Sequence, residues 1–134
     1  MRIGFRPLAC VVGGASLVLG MACTPDVDEA DLYGHYEEHH PNGVERLMLN
    51  ADGTYTQQVV IEPSPDARVN HGTWTWDEST DRVTLRDCWV VVLGDIDRDL
   101  PLAGVCRYWV DRSWFGWGGE IRLAIGDHYL TKQD

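Results

Sequence analysis

Turn-forming residues interrupt this chain at short, regular intervals, and that punctuation leaves room for short strands and little else. Asn50-Ala51-Asp52-Gly53, Pro63-Ser64-Pro65-Asp66, Asp77–Asp81 and Gly126-Asp127 concentrate residues that bend a backbone or tolerate positive φ. Between them run segments rich in β-branched and aromatic residues. Leu47 and Leu49 share a face in a strand over 45–50. A β-branched strand follows over 55–62. Trp74 and Trp76 share a face over 69–76, as the period-two alternation of a strand requires.

The longest expected strand runs over 82–93, where Val83 and Leu85 alternate with Arg82, Thr84 and Arg86. Its second half, Trp89-Val90-Val91-Val92-Leu93, is apolar on both faces and reads as covered on both sides. A loop over 94–103 leads into a strand over 105–110. The segment 120–125 alternates cleanly, and Gly126-Asp127 is a two-residue hairpin turn into 128–132. A first strand lies near 32–38, within a stretch at 28–39 that also suits a helix. The class is therefore all-β: a single antiparallel meander of seven to eight strands, closed or partly closed into a barrel, with a β-sandwich as the alternative.

The start of the chain carries a different signal. Arg2 and Arg6 are the only charges before Asp26, and an apolar run covers 8–22. At 15 residues that run is shorter than the ~20 a membrane-spanning helix needs. A basic start, a short apolar middle and small residues at the end describe a secretory signal. Leu19-Gly20-Met21-Ala22-Cys23 resembles the lipobox of bacterial lipoproteins. The resemblance implies cleavage after Ala22, a diacylglycerol on Cys23, a further acyl chain on the new amine, and anchoring of the protein to a membrane of the bacterial cell envelope. Two or more acyl chains anchor stably where one does not. Thr24 stands where an Asp would resemble an inner-membrane retention signal, which points to the outer membrane. Three regions follow: a signal peptide over 1–22, a lipidated tether over 23–31 and a β domain over 32–134.

The mature chain of 112 residues suits one domain with a modest core. It keeps nine basic residues against 21 acidic ones, a formal charge of −12. Such a surface repels phosphate backbones and argues against nucleic acid as a partner. It would attract a basic protein or cations. Of the four cysteines, Cys10 leaves with the signal and Cys23 takes lipid. Cys88 and Cys106 remain in an oxidising compartment and read as a disulfide. If the two lie directly opposite each other, Trp89 faces Val105 and the loop centres on Asp97.

Leu32-Tyr33-Gly34-His35-Tyr36, then Leu47-x-Leu49-x-x-Asp52-Gly53-Thr54-Tyr55, then Gly72-Thr73-Trp74 resemble the hairpins of small bacterial lipocalin-like lipoproteins. The likeness covers about residues 32–86 and implies a fold; a fold does not fix a function.

Several patterns could carry chemistry. His35-Tyr36-Glu37-Glu38-His39 matches the His-x-x-Glu-His string of inverted zinc peptidases, which needs a helix that Gly34 and Pro41 oppose. On a strand, His35, Glu37 and His39 would instead share one face, a donor set suited to Zn²⁺ or Cu²⁺. Asp95, Asp97 and Asp99 resemble the front of a calcium loop. Leu100 and Cys106 then stand where a Gly and a bidentate Glu belong, which excludes an EF-hand and leaves a looser Ca²⁺ site or a plain acidic loop. Trp109, Trp114, Phe115 and Trp117 cluster before Gly118-Gly119, with Trp114 and Trp117 the candidates for stacking on a sugar or apolar ligand.

No Gly-x-Ser-x-Gly elbow is present, and no free thiol remains once the disulfide forms. The expectation is a non-enzymatic envelope lipoprotein without an obligatory cofactor. It binds a small apolar or sugar-like ligand in a lipocalin-like barrel. A protein-interaction module, such as an inhibitor of a basic hydrolase, and a metal-binding lipoprotein are the alternatives.

Overall fold

Eight antiparallel strands close on themselves in chain order, each paired with its sequence neighbours and the last with the first. The computed structural model describes residues 27–112 and 120–133. The strands are β1 (Gly34–His40), β2 (Gly43–Leu49), β3 (Thr54–Ile61), β4 (Ala67–Asp77), β5 (Arg82–Trp89), β6 (Leu102–Arg112), β7 (Ile121–Ile125) and β8 (His128–Lys132). The expected meander barrel is thus present and closed, and the sandwich is not. The stretch that suited either structure splits: α1 (Glu29–Leu32) is a single helical turn, and a strand follows at once.

Closure explains the sequence pattern. A barrel has one inside, so side chains alternate along its strands between an inner row and an outer row. In β3 the inner row is Tyr55, Gln57, Val59 and Ile61. In β2 it is Glu45, Leu47 and Leu49. Leu47, Leu49, Leu85, Leu123 and Leu130 are fully buried in the central core. Each contributes roughly 1.5–3 kcal/mol by leaving water.

One end of the barrel is plugged. Leu32 of α1 is completely buried, and the Tyr36 hydroxyl donates to its carbonyl at 2.8 Å. Tyr33 packs edge-on against Trp74, whose indole N–H donates to Asn50 O at 2.9 Å. Gly72 permits a close approach in the wall. A Cβ there would lie 2.5 Å from Arg86 O and 2.6 Å from the Tyr55 ring.

Three details of the β5–β6 hairpin correct the sequence reading. First, β5 ends at Trp89, and Val90–Leu93 belongs to the connecting loop. Only Val91 of that apolar run is buried, while Val90, Val92 and Leu93 are exposed. Second, the register pairs Leu85 with Cys106 and Cys88 with Ala103, so Trp89 faces Leu102 and not Val105. The loop midpoint accordingly falls at Asp95 and Ile96 instead of Asp97. Third, the cysteines are nevertheless bonded. By simple alternation from Leu85, Cys88 would point outward. Asp87 adopts a left-handed φ of 57° and reverses that alternation, so Arg86 and Asp87 are both exposed and Cys88 turns inward to meet Cys106. The disulfide is therefore diagonal across the hairpin.

Candidate functional site at the open end of the barrel

The end opposite α1 is built differently. Here the inner rows of three strands end in ionisable residues: Glu38 and His40 on β1, Glu45 on β2, His128 on β8. Alternation from the buried Tyr36 sends Glu38 and His40 inward. Glu45 is in phase with Leu47 and Leu49, and His128 with Leu130. Glu38 and Glu45 are also direct partners in the β1–β2 ladder.

Glu45 is completely buried and His128 is 2% exposed. His128 Nδ1 lies 2.5 Å from Glu38 Oε2, and its Nε2 lies 3.2 Å from Glu45 Oε2. These approaches are close but poorly aligned. Among the described residues, Glu38 Oε2, His40 Nε2, Glu45 Oε2 and both His128 ring nitrogens are buried without an aligned hydrogen-bond partner. One ligand-type atom from each of the four residues falls within 4.8 Å of the others.

Neighbouring groups fix the cluster's orientation. Gln57, fully buried on β3, donates to Glu45 Oε1 at 2.8 Å and to Trp89 O at 3.1 Å, and accepts from Trp89 N at 2.9 Å. His40 Nδ1 lies 2.9 Å from Gly94 O. A carbonyl can only accept, so Nδ1 carries the proton and donates, leaving the His40 Nε2 lone pair facing the cluster in the neutral ring.

Burial raises the Glu38 pKa, a rise that His128 and His40 only partly offset. Burial acts against a charged His128, but Glu45 and Glu38 outweigh it and raise the imidazole pKa. Burial, reinforced by Glu45, also holds the Tyr108 hydroxyl neutral.

The 90–101 loop folds over part of this end. Val91, Ile96 and Leu100 pack on Val59 and Ile61 as a second small core. Asn42 clasps the loop at both sides of Ile96, donating to its carbonyl at 2.9 Å and accepting from its N–H at 2.7 Å. Between the loop, β6 and the β7–β8 turn a cleft of about 540 Å³ remains. Val90, Val92, Val105 and Ile125 line its mouth, and Tyr108 and His128 its floor.

Compared with protein-family models, curated proteins and solved structures, the chain matches none of them.

The residues singled out by sequence fall in several places. His35, Glu37 and His39 do share one face, but it is the outer one. Glu37 is engaged there by His39 at 2.7 Å and Arg46 at 2.8 Å, and the Arg46 hydrogen bond lowers its pKa. Asp95, Asp97 and Asp99 are exposed on the loop, where Asp97 Oδ1 accepts the Asp99 N–H at 2.9 Å. Trp109 lies on the outside beneath the Arg82 guanidinium, 3.9 Å from its ring centre. Cys23, Trp114 and Trp117 lie outside the described residues.

Glu38, His40, Glu45 and His128 form no group that the sequence alone displays. The available signal was a polar residue in phase with an apolar row, as Glu45 is with Leu47 and Leu49.

Proposed function

We propose that this protein is a membrane-anchored, non-enzymatic binding lipoprotein of the bacterial envelope that takes a small ligand into the open end of its barrel. The cleft carries the reading: an apolar mouth leads to a floor that holds the buried His128 imidazole and Tyr108 phenol. Eight-stranded barrels are just wide enough to hold one small molecule. A ligand with an apolar body and a polar head fits that gradient.

The two ends of the domain suit such a tether. Val27 packs at the plugged end, and Cys23 precedes it by four residues, a reach of at most ~14 Å. A lipid on Cys23 would keep the plugged end near the bilayer and the cleft pointing away from it.

Native mass spectrometry of the lipidated protein, purified from its own membranes in mild detergent, tests this. The expected result is added mass that leaves on denaturation, from a chain that starts at an acylated Cys23 and is two hydrogens lighter for the disulfide. A bare native protein would contradict ligand binding, and an unacylated chain would contradict the anchor.

A second reading has one observation of its own. Leu93 is 64% exposed at the head of a loop that carries exposed Asp95, Asp97 and Asp99. An apolar tip among carboxylates suits a basic protein partner such as a hydrolase, steered by the −12 charge. Salt-sensitive binding to such an enzyme, lost in Leu93→Asp, distinguishes it.

A further inference from the structure

The four ionisable groups beneath the cleft satisfy one another only in part. A self-contained network of two His–Glu ion pairs would aim each ring N–H along a carboxylate oxygen. Here five buried nitrogen and oxygen atoms of the group have no aligned partner among the described residues. Two carboxylates share the one His128 ring, so negative charge is left over even when that ring is protonated. Uncompensated charge in a barrel interior costs several kcal/mol on the general scale for buried ions, so a cation is expected at their centre.

We propose that Glu38, His40, Glu45 and His128 bind one divalent transition-metal ion of the zinc type, each giving one ligand atom. Two imidazole nitrogens and two carboxylate oxygens form a borderline set that suits such an ion. Calcium and magnesium ask for six or more oxygens. The dimensions fit with small movements. Ligand atoms around tetrahedral zinc stand roughly 3.3 Å apart, given bonds of about 2.0 Å. The present spread of up to 4.8 Å contracts to that by side-chain rotation.

The surroundings resemble those that orient metal ligands. The His40 Nδ1–H is anchored on Gly94 O, which presents Nε2 as the donor atom. Gln57 holds Glu45 Oε1 and leaves Oε2 turned toward His128. Two carboxylates balance a 2+ ion, so the filled site is neutral inside an apolar barrel. The cleft reaches His128 and supplies an entry path. This proposal needs only the four side chains and their supports, and it stands whether or not a larger molecule occupies the cleft above.

The test uses the full chain, stripped with EDTA and dialysed. Zn²⁺ is titrated calorimetrically, and Co²⁺ is added separately while the visible spectrum is read. The expected result is one ion per chain and the visible absorption of four-coordinate Co²⁺ with nitrogen and oxygen ligands. His40→Ala and Glu45→Gln should each weaken Zn²⁺ binding roughly 100-fold or more, while the outer-face His39→Ala leaves it unchanged. Absence of Zn²⁺ binding to the unaltered chain would overturn the site. So would binding that survives both inner substitutions but disappears in His39→Ala. Should the inner variants fail to fold, the Co²⁺ spectrum of the unaltered chain decides: a four-coordinate spectrum supports the site, and that of hydrated Co²⁺ refutes it. A metal-free protein that still carries an organic molecule would refute this inference and leave the cleft reading standing.

Discussion

His40 and His128 face one another across the seam where the barrel closes, with ring centroids 5.4 Å apart. The β1–β8 ladder sets this up. Tyr36 pairs with Lys132 and Glu37 with Thr131, and the same register carried three residues further brings His40 opposite His128. Barrel closure thus joins two imidazoles from near opposite ends of the described chain, and the Glu38–Glu45 pair completes the group.

Gln57 is expected to be the most sensitive support of that group. It serves Glu45 Oε1 and both backbone groups of Trp89 while fully buried. Gln57→Leu would leave those three groups without partners. The loss should be about 3 kcal/mol or more in chemical denaturation, since each buried unsatisfied group costs about 1–3 kcal/mol. A change under 0.5 kcal/mol would show that Glu45 does not depend on Gln57.

Asp87 should tolerate glycine and resist valine. Its φ of 57° suits Gly and is costly for a β-branched residue. Asp87→Val is expected to lower stability by about 1–2 kcal/mol and to slow oxidation of Cys88 and Cys106 during refolding, because the inward turn of Cys88 depends on that conformation. Asp87→Gly should form the disulfide as readily as the parent, by thiol counting.

Removing the disulfide has a global cost. Cys88 and Cys106 are 18 residues apart in sequence, and the double Ser variant should lose about 3 kcal/mol on the loop-entropy model. The denaturation midpoint reports this, and reduction of the parent should reproduce it.

Alkaline pH should weaken the fold through Tyr55. Burial, with the Asp87 charge beside it, pushes the Tyr55 hydroxyl up to about 12, above the ordinary phenol value of 10.0. The hydroxyl donates to Arg86 O at 2.6 Å. A raised folded-state pKa gives stability that is fully present below pH 10 and is lost as the pH climbs toward 12. Tyr55→Phe should lose about 1 kcal/mol at neutral pH and show a shallower decline over that window, measured by urea denaturation at stepped pH.

Much of the architecture was legible because turn chemistry and period-two alternation are local properties. The Asn50–Gly53 and Gly126-Asp127 turns and the strand over 128–132 were readable from short windows of residues. The 89–93 run was not, because a continuous apolar stretch looks the same whether it is a covered strand or a loop over a second small core. The diagonal disulfide was hidden because one left-handed residue, Asp87, reverses the face of everything after it. The inner site was half legible. His35, Glu37 and His39 drew attention as alternating donors, yet the buried Tyr36 sets the other parity inward. Glu45 and His128 join that parity only through long-range pairing, which no local pattern in the chain displays.

The measurement that bears most directly on the open end as the binding end is a crystal structure of the protein purified from its own membranes. Electron density for a bound molecule or ion is expected there, either in the cleft that Val90 and Val92 share with His128 or among Glu38, His40, Glu45 and His128. A structure in which the 90–101 loop fills the cleft, and the four side chains hydrogen-bond only to one another, would contradict it.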